Sequence, residues 1–127
     1  MHKSRLAGFI IDCQTDDLEQ AGQFWSRALG YPLRESADAE DARYKLLDTP
    51  SDDLHIEVQQ VDHPSRVHLD IEADDIEAEV KRLEKLGARR ISGVKSWVVM
   101  EAPTGQRFCV VRVQRSDFEA NANTWKD

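Results

Sequence analysis

The sequence predicts an α+β fold made of two βαβββ modules related by a pseudo-twofold axis. The first observation is an internal repeat, in which the acidic pattern of residues 12–19 returns at residues 70–77. The second is that each copy leads into a helical pattern ending at a glycine, after which the apolar residues recur with a period of two. Repeats of this size bury their apolar faces by packing together. The corresponding acidic residues are Asp12 and Asp70, Asp16 and Asp74, Asp17 and Asp75, and Glu19 and Glu77.

The first helix is predicted over residues 17–29. Asp16 as N-cap, with Glu19 three residues later, imitates a capping box, and Gly30 supplies a left-handed stop. Apolar residues at helical spacing form one stripe that can lie on a sheet. Trp25 belongs to that stripe, so we assign it to the core.

The second helix repeats this design, with Asp74 as its cap and Gly87 at its end. Its apolar residues again form a stripe along one face of the helix. The opposite face, from Glu79 to Lys85, is charged and is predicted to be solvated.

Strands are predicted where apolar residues alternate with polar ones, bounded by turn residues such as Pro50 and Pro103. Together with the two helices, these strands give the order βαβββ twice. The predicted strands are 5–13, 31–36, 42–48, 54–61, 66–72, 88–93, 96–101 and 107–113.

Composition predicts a single domain at residues 1–127. A chain of this length with 40% hydrophobic residues can bury a core. A net charge of −7 gives no basic stripe for phosphates, so neither nucleic acid nor a membrane surface is expected as a partner.

The two cysteines bear on the location of the protein. Cys13 and Cys109 lack CxxC spacing and fit reduced thiols, which favours a cytoplasmic location.

We divide the domain into module one at residues 1–62, module two at 63–115 and a tail at 116–127. The tail is polar apart from Phe118 and Trp125. It is either loose, or its two aromatic residues dock on the body of the chain or on a second subunit.

Two motifs carry a resemblance to a known family. Residues 17–31 follow the pattern Asp-Leu-x-x-Ala-x-x-Phe-Trp-x-x-Ala-Leu-Gly-Tyr, and residues 102–111 are Ala-Pro-Thr-Gly-Gln-Arg-Phe-Cys-Val-Val. Together with the duplication, they resemble the vicinal oxygen chelate superfamily, and most of all its small glyoxalase-like domains, over about residues 5–113. The resemblance implies a cup-shaped mixed sheet with the helices outside, and a homodimer.

The resemblance leaves the activity open. The superfamily includes glyoxalase I, extradiol dioxygenases, epimerases and fosfomycin-modifying enzymes, together with metal-free proteins that sequester drugs such as bleomycin. A shared fold does not fix a shared function, so the site residues have to decide between these classes.

In metal-using relatives the ligands come from the first and last strand of each module. Ile10 stands where a His or Gln would be expected, and it has no donor atom. His68 matches the second-module position, whereas Cys109 replaces a carboxylate in an apolar stretch that would raise the pKa of a thiol. The fourth position is either Glu57 or Gln59.

Catalytic metal sites generally use at least three protein ligands, so we expect no metal and no other cofactor. If a metal does bind, His68 and Glu57 are its predicted ligands.

The predicted catalytic residues are His68, Asp70 and Asp12. The two aspartates hold equivalent places on the opening strands, which the pseudo-twofold brings together, so we expect all three side chains to share one cavity. Close carboxylates shift each other's pKa, as in a tuned acid or base. The alternatives are that each aspartate accepts bonds from backbone amides or an arginine, and that His68 is hydrogen-bonded inside the sheet.

Further ligand contacts are predicted on neighbouring strands. Trp97 forms a wall for an apolar ligand if it faces the cup, but its side of the strand is not fixed by the sequence. Arg43, Tyr44 and Arg107 are candidate contacts for an anion or ring. The sequence therefore predicts a glyoxalase-like protein that binds a small organic molecule without a catalytic metal. The alternative is a divergent lyase, isomerase or dioxygenase using His68 with Asp70, or a weak metal site.

Overall fold

The computed structural model describes residues 1–34, 42–50, 52–94 and 96–126. No helix in these ranges is long and apolar enough to cross a membrane. The chain divides into a continuous unit, Phe9–Val67, and a discontinuous unit, Met1–Gly8 with His68–Asp127. The described helices are α1 (Leu18–Leu29), α2 (Ile76–Lys85) and α3 (Phe118–Asn121), and the strands are β1 (His2–Gln14), β2 (Leu33–Arg34), β3 (Tyr44–Leu47), β4 (His55–Val61), β5 (Arg66–Ala73), β6 (Arg89–Val94), β7 (Trp97–Glu101), β8 (Arg107–Arg112) and β9 (Asn123–Trp125).

The continuous unit has the strand order β2-β3-β4-β1, where β1 contributes its residues from Phe9 onward. Both β2 with β3 and β3 with β4 are antiparallel pairs. Its buried core consists of Ile11, Leu47 and Ile56, and Trp25 of α1 packs against it. The assignment of Trp25 to the core is therefore confirmed.

The discontinuous unit has the strand order β5-β8-β7-β6. β5 and β8 are parallel, whereas β8 with β7 and β7 with β6 are antiparallel, so the sheet is mixed and the α+β class is confirmed. The pseudo-twofold axis and the module limits stay predictions. The apolar core beneath α2 consists of Ala73, Val80, Leu83, Val98, Met100 and Val110.

Both helices begin one residue later than predicted. The N-caps are Asp17, which accepts the Gln20 N–H at 3.0 Å, and Asp75, which accepts the Ala78 N–H at 3.0 Å. Each start has two adjacent aspartates, and the second has the non-helical backbone of an N-cap and binds the helix. Asp74 instead accepts the backbone N–H of Lys3 at 2.8 Å. Gly30 ends α1 in the left-handed region, at φ 79°, as predicted.

Glu79 contradicts the prediction of a solvated charged face on α2. Its side chain is fully buried and lies 2.7 Å from Nε2 of His2. Arg82 donates to it from Nε and from Nη2, each at 2.9 Å. A buried carboxylate needs such partners, and the helical pattern alone does not show that His2 is one of them.

Glu72 is a second fully buried carboxylate. It accepts the side-chain N–H of Arg5 at 2.8 Å and that of Arg115 at 3.1 Å. The backbone N–H groups of Gln114 and Arg115 donate to its other oxygen at 2.7 and 3.0 Å. Glu72 therefore fixes the segment that leads from β8 into the tail.

The tail docks on its own chain. β9 pairs antiparallel with the start of β1, and the Trp125 indole N–H donates to Ser4 Oγ at 2.8 Å. Phe118 is 3% exposed and lies under the Arg5 guanidinium. Of the three arrangements considered from the sequence, the structure shows docking on the body of the chain.

Candidate functional site

Three predicted site residues meet in the discontinuous unit. Asp70 on β5 lies opposite Cys109 on the parallel strand β8, and His68 is two residues from Asp70, so it points to the same face. One donor atom from each of the three lies within 4.8 Å of the other two. We call His68, Asp70 and Cys109 the donor cluster.

The donor cluster lies on the side of the sheet opposite α2. Val98, Met100 and Val110 are buried in the core beneath α2, so their strand neighbours point the other way. Val99 is the direct cross-strand neighbour of Cys109. The side of Trp97, which the sequence left open, is thus that of the donor cluster.

Trp97 lies diagonally across from Cys109 between β7 and β8. A diagonal neighbour is about 7–8 Å away, within reach of a large aromatic side chain. Its ring is half-buried. Trp97 can therefore form an apolar wall beside the donor cluster.

The donor cluster is sheltered from water. Asp70 is 7% exposed, and the His68 side chain is 12% exposed. The His68 Nε2 atom lies 3.7 Å from the nearer Asp70 carboxylate oxygen, which is ion-pair distance and longer than a hydrogen bond. Imidazole, carboxylate and thiol together can exchange a proton with a ligand, hold it by hydrogen bonds, or ligate a divalent ion.

Arg107 lies two residues before Cys109 on the same face of β8. Its Nε donates to Glu101 at 3.1 Å, and Arg89 donates to the same carboxylate at 2.8 Å. Hydrogen bonds from Arg89 and Arg107 hold the pKa of Glu101 below its ordinary value. The cationic side chain of Arg107 is thus held by Glu101 at the edge of the donor cluster.

Asp12 belongs to the continuous unit. It is 2% exposed, and Nε of Arg66 lies 3.6 Å from its carboxylate. One alternative from the sequence was that an arginine, and not a ligand, binds this aspartate, and Arg66 agrees with it. The single cavity with His68 and Asp70 stays a prediction.

Glu57 and Gln59 also belong to the continuous unit, on β4. The buried residues Ile56 and Val58 alternate with them, so both share the face of His55 as predicted. Nε2 of His55 lies 2.8 Å from the Glu57 carboxylate. Their spacing of two residues along a strand is the signal that could have revealed this pair.

The donor cluster has the donor types of a Zn²⁺ site, and one of its distances matches such a site. Ligand atoms bound tetrahedrally at about 2.0–2.3 Å lie roughly 3.3–3.8 Å apart, and the distance between His68 and Asp70 falls in that interval. Nitrogen and sulfur donors suit Zn²⁺, and a carboxylate completes three ligands with one position open. The donors that accompany His68 here are Asp70 and Cys109, whereas the sequence paired His68 with Glu57.

The family model described as a glyoxalase-like domain matches residues 8–111. Among curated proteins, none matches this chain.

Solved structures show the same fold at low sequence identity. Methylmalonyl-CoA epimerase from Mycobacterium tuberculosis is 16% identical with a TM-score of 0.62, over 84% of this chain and 86% of that one. A hypothetical protein from Bacillus halodurans C-125 is 16% identical with a TM-score of 0.58, over 89% and 98%. A glyoxalase/bleomycin resistance protein/dioxygenase superfamily member from Vibrio splendidus 12B01 is 17% identical with a TM-score of 0.51, over 84% and 98%. These likenesses show the shared fold, whereas the family match confirms the resemblance found in the sequence and shows that the chain belongs to the glyoxalase-like domain family.

Proposed function

We propose that this protein binds a small organic molecule at the donor cluster, and that binding needs no metal. The observation that carries the proposal is the convergence of nitrogen, oxygen and sulfur donors within 4.8 Å on the face that also carries Trp97. A few polar groups beside an apolar wall are typical of sites for small ligands.

The chemistry of the cluster favours a ligand with a polar oxygen group next to an apolar part. His68 and Asp70 can exchange hydrogen bonds with a carbonyl, hydroxyl or carboxylate, while the Trp97 ring contacts apolar atoms. Arg107 lies on the same face and suits a ligand with an anionic group. Acyl thioesters combine these features, and several similar structures are methylmalonyl-CoA epimerases, one of them in complex with methylmalonyl-CoA.

A second candidate is a divergent enzyme of the same superfamily, acting as a lyase, isomerase or dioxygenase. The observation that favours it is the sheltered pair of His68 and Asp70, whose 3.7 Å separation lets the carboxylate orient the imidazole. A proton could then move between His68 and a carbon or oxygen of the ligand. If a divalent ion occupies the cluster, it supplies Lewis-acid chemistry, and His68, Asp70 and Cys109 hold it.

The test is a ligand titration of the full chain, purified without a metal-affinity tag and analysed for bound metal. Methylmalonyl-CoA, simple 2-oxo acids and aromatic acids are titrated by calorimetry against the unmodified chain, Cys109→Ser and His68→Gln. Cys13→Ser and His63→Gln are matched controls in the continuous unit.

We expect saturable binding that the two cluster variants weaken and the two controls do not. Loss of binding in both cluster variants with metal absent supports the metal-free site. Binding that requires metal at unit stoichiometry favours the enzyme instead. Affinities equal in all four variants would place the ligand elsewhere and end the proposal.

A further inference from the structure

A groove of about 390 Å³ follows one side of α2 in the discontinuous unit. It lies on the side of the sheet opposite the donor cluster, because α2 covers the other face of β7 and β8. The volume falls within the range of small-molecule sites. Its charged lining residues are Asp75, Glu77, Lys81, Arg82, Lys85 and Lys126.

Two elements bring the cationic groups together. Lys81 and Lys85 are one helical turn apart on α2, so their side chains lie on the same side. Lys126 follows Trp125, whose backbone pairs with His2 in β1. The anchoring of β9 thus places a third ammonium group across from the helix.

The tail is held firmly at this point. The Arg82 guanidinium lies 3.9 Å from the centre of the Trp125 ring, and the indole N–H donates to Ser4. Arg82 is itself bound to Glu79, so its charge is compensated inside the protein. Arg82 therefore acts mainly as a wall of the groove and as the support of the tail.

The two acidic residues of the groove are already engaged. Asp75 caps α2, and Glu77 lies 2.6 Å from Nη2 of Arg90. Lys81 lies close enough to Glu77 for its charge to help lower the pKa of that carboxyl, after the larger effect of the Arg90 hydrogen bond. Within the described ranges of the chain, no ion pair is formed by Lys81, Lys85 or Lys126. Three ammonium groups, of which Glu77 partly offsets one, therefore line one groove in a chain whose net charge is −7.

We propose that this groove binds a small polyanion carrying at least two linked phosphate groups, such as pyrophosphate or a nucleoside diphosphate. Lysine ammonium groups bind phosphate as point charges, and several of them are needed because exposed charges are screened by water and salt. The net acidity of the chain disfavours long nucleic acids and anionic membranes, which would also meet the surrounding carboxylates. The site is independent of the proposed function of the donor cluster.

The test is an NMR titration of the full ¹⁵N-labelled chain at low salt with pyrophosphate and, separately, with adenosine diphosphate. The double variant Lys81→Gln/Lys126→Gln removes two cations of the groove. Arg34→Gln is the matched control, because it removes an exposed cation from the continuous unit. Thermal melts of each variant check that the fold is kept.

We expect saturable shifts in α2 and β9, an affinity about tenfold lower in the double variant, and less than about a twofold change in Arg34→Gln. Equal affinity for the two probes identifies the phosphates as the whole determinant, whereas tighter binding of adenosine diphosphate adds contacts to its base or sugar. The Cys109→Ser variant should bind pyrophosphate as the unmodified chain does, which separates this site from the donor cluster.

Three results would overturn the proposal. The first is the absence of saturable shifts in α2 at millimolar pyrophosphate. The second is an unchanged affinity in a folded double variant. The third is tighter binding of a single-stranded oligonucleotide or of anionic vesicles to the same residues, which would make the groove part of a macromolecular interface.

Discussion

The Arg82 guanidinium packs on the face of the Trp125 ring at 3.9 Å while its Nε and Nη2 atoms donate to the buried Glu79 carboxylate. The same carboxylate thus fixes an arginine that in turn fixes the last strand. β9 is only three residues long, so its ladder to β1 contributes little alone. The side chains around Glu79 therefore help to hold β9 in place.

Replacing the anchoring aromatic residue should destabilise the fold. We expect Trp125→Ala to lower the free energy of unfolding by about 2 kcal/mol, less than for a fully buried tryptophan, because the ring is only half-buried. Urea denaturation measures the change. Phe24→Ala is the control, since Phe24 is 61% exposed on α1 and should change stability by less than about 0.5 kcal/mol. Equal effects of the two substitutions would contradict the anchoring role.

The Glu72 carboxylate should matter more than any surface acid. Glu72→Gln leaves Arg5 and Arg115 facing a neutral group in a buried setting, so we expect a loss of about 3–5 kcal/mol in urea denaturation. Glu119→Gln is the control, because that side chain is 80% exposed in its ion pair with Lys3 and should cost about 0.5 kcal/mol at most. A Glu72→Gln variant as stable as this control would show that the network is dispensable.

Low pH should destabilise the protein, because it protonates the buried carboxylates. Burial on its own would raise the pKa of Glu72, but hydrogen bonds from Gln114, Arg5 and Arg115 outweigh it and hold the pKa below the ordinary 4.5. In Glu79, hydrogen bonds from Arg82 and His2 likewise outweigh burial, and the pKa is lowered. Groups of this kind stabilise the fold fully above their unfolded pKa, and the contribution disappears as the pH falls through the lowered folded value.

Urea denaturation at pH values from about 7 to about 3 tests this, with most of the loss expected below about pH 4.5. Glu79→Gln should be less stable at neutral pH and should lose less stability on acidification. Glu119→Gln should follow the unmodified chain. If Glu79→Gln leaves the pH dependence of the free energy of unfolding unchanged, other groups cause the acid sensitivity.

Divalent ions should bind the donor cluster weakly, because one of its three ligand groups is the Cys109 thiol, whose apolar sequence neighbours disfavour the thiolate that binds a metal. We expect Zn²⁺ and Mn²⁺ to change the melting temperature little. A ligand present at 100 times its Kd would add about 2.7 kcal/mol to the free energy of unfolding, which a melting experiment detects. A saturable upward shift that is lost in His68→Ala and Cys109→Ser, but kept in Cys13→Ser, would show a functional metal site.

The repeated acidic pattern was enough to predict both main helices, because capping acts within a few residues. It did not select between the adjacent aspartates, since that choice depends on the backbone angles at Asp17 and Asp75. The burial of Glu79 could not be predicted, because its partner His2 is far away in the sequence. Local pattern predicts the helix, and distant partners decide which of its charges are buried.

Local sequence pattern also predicted part of the donor cluster. Strand alternation put His68 and Asp70 on one face from the sequence alone. The position of Cys109 opposite Asp70 depends on the parallel register of β5 and β8, which the chain sets through the intervening helix and strands. The side of Trp97 became clear only from the burial of Val98 and Met100.

The homodimer implied by the family resemblance stays a prediction, but the structure changes where its contact should lie. Phe118 and Trp125 pack on their own chain, so they do not need a second subunit to cover them. Leu6 and Leu69 in the discontinuous unit are 40% and 50% exposed, and apolar groups on strands favour association. We therefore expect these strands, and not the tail, to form the contact.

Light scattering at micromolar concentration should report about twice the chain mass of 14.5 kDa. Leu69→Asp should give the monomer mass, because it places a charge in the predicted contact, whereas Leu86→Asp, at a position that is 66% exposed, should keep the dimer. Deletion after Arg115 should lower the melting temperature by removing the contacts of Trp125. A chain that is monomeric at every concentration, or a Leu69→Asp variant that still dimerises, would contradict this interface.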